Sequence, residues 1–253
     1  MLGSFADAEE IVRKLSPGKD PLRRANSACL KRLEHHHHRH LPQNEGPPSK
    51  PGGPLETFEE DYWITPAPDA RLFDSPAEAL EKRESVAPGL IALLQHLEPR
   101  QRSVLLLRDI AGWSAAEVGE ALGVSPAAVS SSLGRARRAL DAGDEASAGE
   151  EPTPALLASY VRAWKERDAK ALAALLHREV VFAMPPHATW YRGRRDFVQF
   201  VQTAWTGRPR LRLTRANGCP ALWFESKNEL QVVRFARGKV VEAITFNGDF
   251  GGY

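Results

Sequence analysis

The order of hydrophobic patterns predicts a multidomain chain: an all-α module built around a helix-turn-helix, then an α+β domain, with a partial helical segment at the start. Three observations carry this. Between residues 76 and 140, apolar side chains recur at helical spacing and are punctuated by Pro, Ser and Gly. From Val180 onward, short strand-like runs replace them. Stretches rich in acid, Pro and Gly separate these patterned segments. The 253 residues suffice for two modest domains, each with its own core.

Residues 1–34 read as short helical pieces interrupted at "SPGKDP", whose prolines and glycine rule out one continuous helix. "NSACLKRL" is the second piece. The tract "HHHHRH" at 35–40 reads as a solvated polar run, since one histidine run defines no metal geometry; neither a metal site nor a cofactor is expected. Residues 42–75 read as a linker with little fixed structure, with "DYWI" a candidate patch for docking on a neighbouring domain.

The helical module is expected over 76–141. Ser75, Pro76 and Glu78 form a helix start, "GLIALLQHL" is strongly apolar, and "PRQRSVLLLRDIAG" begins at proline and stops at Gly112. These pieces are expected to bury Leu90, Leu93, Leu94, Leu97, Val104, Leu107 and Ile110 together. In "GWSAAEVGEALGVSPAAVSSSLGRARRAL", Val129, Leu133, Ala136 and Leu140 form one stripe that packs on Val118 and Leu122. Gly123 permits the turn, and Ser125 with Pro126 starts the second helix. Its opposite face carries Ala127, Ser131 and Arg138, flanked by Ala128, Ser132 and Arg135, and Ser125 at the cap and Arg137 complete a set of eight. Small residues allow close approach to a surface, hydroxyls meet base edges or phosphates, and the arginines neutralise phosphate charge. These eight are the candidate DNA-binding residues, arranged as a recognition helix requires. The bland reading is a helical hairpin with an arginine-rich solvated edge.

Residues 142–152 read as a second, acidic linker, and 153–253 as the α+β domain. Thr153 and Asp168 cap two helices whose inner faces carry Leu157, Tyr160 and Trp164, then Leu172, Leu175 and Leu176. A third helix is "GRRDFVQFVQTAW", with Asp196 at its opening. "EVVFAMP", "RLRLTRANG", "PALWFES", "ELQVVRFARG" and "KVVEAITFN" are strands that form a curved meander on the helices. Met184, Trp190, Tyr191, Trp205 and Trp223 are candidate pocket residues, though aromatics in such a core are usually only core. His177, His187, Asp196 and Asp249 are the acid–base candidates; their spacing implies no pair poised for proton transfer, so no catalytic residue is assigned.

The net charge of +2 conceals segmentation. Residues 51–98 carry 3 basic against 10 acidic side chains and residues 141–153 carry none against 5, whereas 154–253 carry 16 against 8. Acidic separators between basic modules suit a chain that meets a polyanion locally. With no apolar run of spanning length and no basic-led apolar start, neither membrane helix nor signal peptide is read, and a cytoplasmic location is expected. Cys29 and Cys219 are read as reduced thiols.

The run "LEPRQRSVLLLRDIAGWSAAEVGEALGVSPAAVSSSLGRARRAL" resembles region 4 of extracytoplasmic-function sigma factors of the sigma-70 family. "MLGSFADAEEIV" and "ANSACLKRL" resemble parts of that family's region 2. The resemblance implies promoter DNA, read at its −35 element, and bacterial RNA polymerase core as partners. Region 2, over 1–41, reads as truncated at its start and deleted internally, with "RKLSPGKDPLRR" alone between Val12 and Ala25. The aromatic-rich stretch that opens the −10 element in the family has no counterpart there, which puts promoter melting in doubt.

"LLASYVRAWKERDAKALAALLHREVVFAMPP", "MPPHATWYRGR" and "LTRANGCPAL" are similar to SnoaL-like cone domains, as fused behind region 4 in the SigG/SigJ-type group. The resemblance implies an apolar ligand cavity, a regulatory role and intramolecular contact with the sigma regions. Free-standing cones include cyclases and steroid isomerases. Two readings therefore stand: a sigma-factor-like protein regulated by its cone, or an initiation-incompetent remnant whose cone binds a small apolar ligand or acts as a cyclase.

Overall fold

The computed structural model describes residues 1–15, 18–34, 38–140, 149–207 and 209–248. The chain divides into two compact units, Met1–Arg39 with Ala87–Ser147, and His40–Val86 with Ala148–Tyr253.

The first unit is helical: α1 (Phe5–Lys14), α2 (Pro21–Leu33), α5 (Pro88–Gln95), α6 (Pro99–Leu105), α7 (Ala115–Leu122) and α8 (Pro126–Leu140). Its core joins Leu94, Leu97, Val104, Leu105, Leu107, Val118, Val129, Leu133 and Ala136. The fully buried Arg102 closes α5: its guanidinium donates to the carbonyls of Gln95 at 3.1 Å and Leu97 at 3.2 Å, which satisfies groups the helix end leaves open. Burial lowers its pKa to about 10, which leaves it charged at neutral pH. Ile110, expected in the core, is 51% exposed. After α6 the chain makes a π turn over Leu106–Ile110, in which the Ala111 amide donates to the Leu106 carbonyl at 3.0 Å. The extra residue per turn rotates Ile110 off the apolar stripe.

The second unit contains α3 (Asp69–Leu72), α4 (Pro76–Lys82), α9 (Pro154–Glu166), α10 (Ala169–Leu175) and α11 (Arg194–Ala204). Its strands are β1 (Leu176–Ala183), β2 (Trp190–Arg192), β3 (Leu211–Ala216), β4 (Cys219–Phe224), β5 (Glu229–Ala236) and β6 (Lys239–Asn247). They form one sheet in the order β2-β1-β6-β5-β4-β3. All neighbours are antiparallel except β1 with β6, so the sheet is mixed where a meander was expected. The three-residue β2 escapes any periodicity argument. Helices α9, α10 and α11 cover one face, and Tyr160, Trp164, Leu172, Phe182, Phe197 and Phe235 are among the side chains buried there.

The expectation that residues 42–75 have little fixed structure does not hold. Leu41, Trp63 and Ile64 are buried, at 1%, 2% and 1% exposure. The strap they belong to follows the chain from Pro185 to Trp190: Phe58 N–H donates to Pro186 O, Ala188 N–H to Glu56 O and Ser49 N–H to Trp190 O. Residues 76–86, expected with the helix-turn-helix, also belong to this unit.

The β3–β4 hairpin fixes the far end of this segment. Asn217 and Gly218 both have positive φ, 53° and 71°, as a tight two-residue hairpin turn demands. The buried Asn217 side chain accepts from Ala67 N–H at 2.8 Å and donates to Val86 O at 2.8 Å. Asp69, also buried, accepts from Gly218 N–H at 2.8 Å and pairs with Arg215 at 3.3 Å, and Arg215 in turn holds Glu151. A Pro- and Gly-rich composition thus hides a segment held by a few apolar anchors and a polar clip.

Candidate nucleic-acid interface and cone cavity

The helix-turn-helix is built by local rules. Ser114 and Glu117 form a capping box at the start of α7, with Ser114 Oγ accepting from Glu117 N–H and the Glu117 carboxylate accepting from Ser114 N–H. Gly123 ends α7 in the left-handed region, at φ 68°. Gly119 lies so close to the turn that a Cβ would sit 2.7 Å from Val124 O. Ser125 starts α8, its Oγ accepting from Ala128 N–H at 3.2 Å.

At about 100° per residue, Ala127, Ala128, Ser131, Arg135 and Arg138 fall within one arc of α8, opposite the buried Val129, Leu133 and Ala136. All five are exposed, as is Ser125, and Ser132 at the edge of the arc is half-buried. Arg137 falls outside the arc. It turns to Asp109, with its guanidinium 2.9 and 2.6 Å from the two carboxylate oxygens. That pair holds α8 to the π turn, a role the spacing alone did not reveal. The result is a surface of small residues at the N-terminal end of α8 and two outward arginines toward its C-terminal end.

The cone holds a partly open cavity of about 170 Å³. Of the candidate pocket residues, Met184 and Trp205 line it, beside Trp164, Phe182 and Phe224. Trp190, Tyr191 and Trp223 do not. The Trp190 indole is buried toward the strap and donates to Gly46 O at 3.0 Å. Tyr191 is sealed in a stack with Phe182 and Phe200, with ring centroids 6.3 and 5.0 Å apart. Trp223 alternates with the cavity residue Phe224 and so faces away, under the Arg212 guanidinium at 4.4 Å.

Of the acid–base candidates, His187 lines the cavity. Its Nδ1 lies 3.0 Å from Thr57 Oγ1, and burial lowers its pKa. His177 sits on β1 and its Nδ1 accepts from Glu179 N–H at 3.2 Å. Asp196 is in the first turn of α11 but does not cap it; the cap position is Gly193, which has no side chain to offer. Asp249 lies outside the described residues. Among the described residues no group of three or more His, Cys, Asp or Glu could hold a metal ion.

Sequence reasoning missed a polar row across the cavity face. Glu229 faces Asn247 across β5 and β6, Gln231 faces Thr245, and Val233 faces Ala243. Tyr160 Oη donates to Gln231 Oε1 at 2.7 Å, and Gln231 Nε2 donates to Thr245 Oγ1 at 3.1 Å. The signal was present: Glu229 and Gln231 alternate with core residues on a strand whose inward face is otherwise apolar. Burial raises the pKa of Glu229.

The fold and the α8 surface define a helix-turn-helix protein joined to an α+β cone. Residues 89–140 match the family Sigma-70, region 4, and residues 157–217 match the SnoaL-like domain. The chain is 39% identical over 250 residues to the ECF RNA polymerase sigma factor SigG of two Mycobacterium tuberculosis strains, CDC 1551 / Oshkosh and H37Rv; the match covers 87% of this chain and 67% of theirs. The crystal structure of the extracytoplasmic function sigma factor SigJ of the same species is similar in fold, with a TM-score of 0.63 at 20% identity over 97% of this chain and 89% of that one. The chain belongs to the extracytoplasmic-function sigma factors of the sigma-70 family, in the group that carries a C-terminal SnoaL-like domain.

Proposed function

We propose that this sigma factor recognises a −35 promoter element through α8 while bound to RNA polymerase core, and that its SnoaL-like domain regulates that activity without catalysing a reaction. The observation that carries the DNA reading is the exposed arc of α8, small at its start and basic toward its end, opposite a fully buried stripe. Docking on polymerase is supported by α1 and α2, which bury no residue and leave Val12 and Leu22 64% and 49% exposed. A polymerase partner places the protein in the cytoplasm. The regulatory, non-catalytic reading of the cone is supported by the relatives of the whole chain, which are sigma factors. Intramolecular contact with the sigma regions is part of the same proposal.

The test is selection of duplexes from a random pool by the full chain loaded on polymerase core. One enriched −35-type motif is expected. Ser131→Leu, on the exposed arc, should still fold and capture polymerase but lose or change that motif, because the larger side chain blocks close approach to the groove. An unselected pool, or a motif indifferent to Ser131→Leu, contradicts the assignment.

A further inference from the structure

The outer side of α11 carries a cationic surface of its own. Phe197 and Val201 bury the inner side of this helix, while Arg195, Gln199 and Gln202, at i, i+4 and i+7, stand exposed on the outer one. With Arg194 and, from β1, Arg178, they line an open groove. The two elements are tied where the arginines leave them: Gly193 N–H donates to Val180 O at 2.8 Å, and Arg194 Nε to Leu176 O at 3.1 Å. The three guanidinium groups stand on a fixed base.

Among the described residues no carboxylate lines the groove. Asp196, in the first turn of α11, stays outside it. The arginines are also sparsely engaged. Arg194 gives Leu176 one of its five N–H groups, and Arg178 Nε lies 3.8 Å from the Glu179 carboxylate, beyond hydrogen-bond reach. Arg195 makes no ion pair or hydrogen bond among the described residues. Over residues 154–253 there are 16 basic against 8 acidic side chains, so the groove lies in a positive field. Guanidinium and amide donors suit phosphate oxygens. A peptide would need apolar anchors, and Ala173 and the half-buried Val198 offer little of that kind.

We propose that this groove is a second nucleic-acid surface, which holds the phosphate backbone of duplex DNA without reading its sequence. The choice of DNA as occupant rests on the sigma-factor reading above. Phosphate contacts position and do not specify, so the cone adds affinity and leaves the choice of −35 element to α8.

The test is binding of a random-sequence duplex by the full chain, without polymerase, over a range of salt. Arg178→Gln/Arg194→Gln/Arg195→Gln should flatten the slope of log affinity against log salt by about 3. The matching triple lysine variant, which keeps the charge, should retain the wild-type slope. Arg178→Gln/Arg195→Gln leaves the Arg194 tie to Leu176 in place and should flatten the slope by about 2, so it decides alone if the triple variant fails to fold. Phenylglyoxal modification of the three arginines, mapped by mass spectrometry, should slow when the duplex is added and not when poly-glutamate is. An unchanged slope in the double variant, a flattened slope in the lysine variant, or equal protection by poly-glutamate overturns the proposal. Repeating the titrations in an Arg135→Ala/Arg138→Ala background separates the two assignments: the groove variants should flatten the slope by the same amount there, whether or not α8 contributes.

Discussion

Asn217 shows how much one side chain can hold. Its amide bridges Ala67 and Val86, and its backbone sits at φ 53°, tolerated by Asn better than by most residues. Asn217→Ala strands a buried N–H and adds backbone strain, and should cost about 2–4 kcal/mol in denaturant unfolding. Asn217→Gly relieves the strain while still losing both bonds, so it should recover part of that loss; equal stability of all three proteins would show that the clip contributes nothing. Glu229 gives a pH signature. Its folded pKa is raised by burial, so its ionisation opposes folding. That cost is absent below the ordinary carboxylate pKa, grows as pH rises through the folded value, and persists at neutral pH. Glu229→Gln should therefore match wild type in acid and exceed it in melting temperature near neutrality; a variant less stable at neutral pH contradicts the assignment. The alternation along β5 marked Glu229, but the role of Asn217 was not legible in the sequence. "NG" announces a hairpin turn, but a bond to Ala67, 150 positions away in the chain, leaves no local trace.

At the scale of elements, the helix-turn-helix was the most legible part because its rules are local. The Ser125 start, the Gly123 turn and the Val129–Leu133–Ala136 stripe all follow from spacing, and the structure places them so. Ile110 failed because a π turn changes the period within a single turn, and periodicity assumes the period constant. Arg137 was grouped with Arg135 and Arg138 by adjacency, whereas Asp109 claims it from a different helix. Met184 and Trp205 line the cavity, whereas the placement of Trp190, Tyr191 and Trp223 depends on which way a strand faces, and strand register is not set by composition. The contact of α7 with the turn before α8 gives a sharp test. Alanine is the better helix former by about 1 kcal/mol, yet Gly119→Ala should destabilise the helical unit by roughly 1–3 kcal/mol, because its Cβ would meet Val124 O at 2.7 Å. A stabilised variant would mean that the turn is looser than described.

At the scale of the whole molecule, the chain alternates between its two units, and residues 40–86 join the cone although they are flanked in sequence by helices of the other unit. Acidic, Pro-rich composition pointed to a linker, and the buried Trp63 and Ile64 were the contrary signal within it. Among the described residues no helix is long and apolar enough to cross a membrane. In the proposed function α8 reads DNA and Arg135 and Arg138 are directed at phosphate, while Asp109 holds Arg137 aside. The most direct test is the salt dependence of affinity for the selected −35 duplex, compared between the polymerase-loaded full chain and its Arg135→Ala/Arg138→Ala double variant. Each phosphate contact contributes about 0.9 to the slope of log affinity against log salt. The account predicts a slope shallower by about 2 in the double variant, with polymerase capture unchanged; an unaltered slope would contradict it.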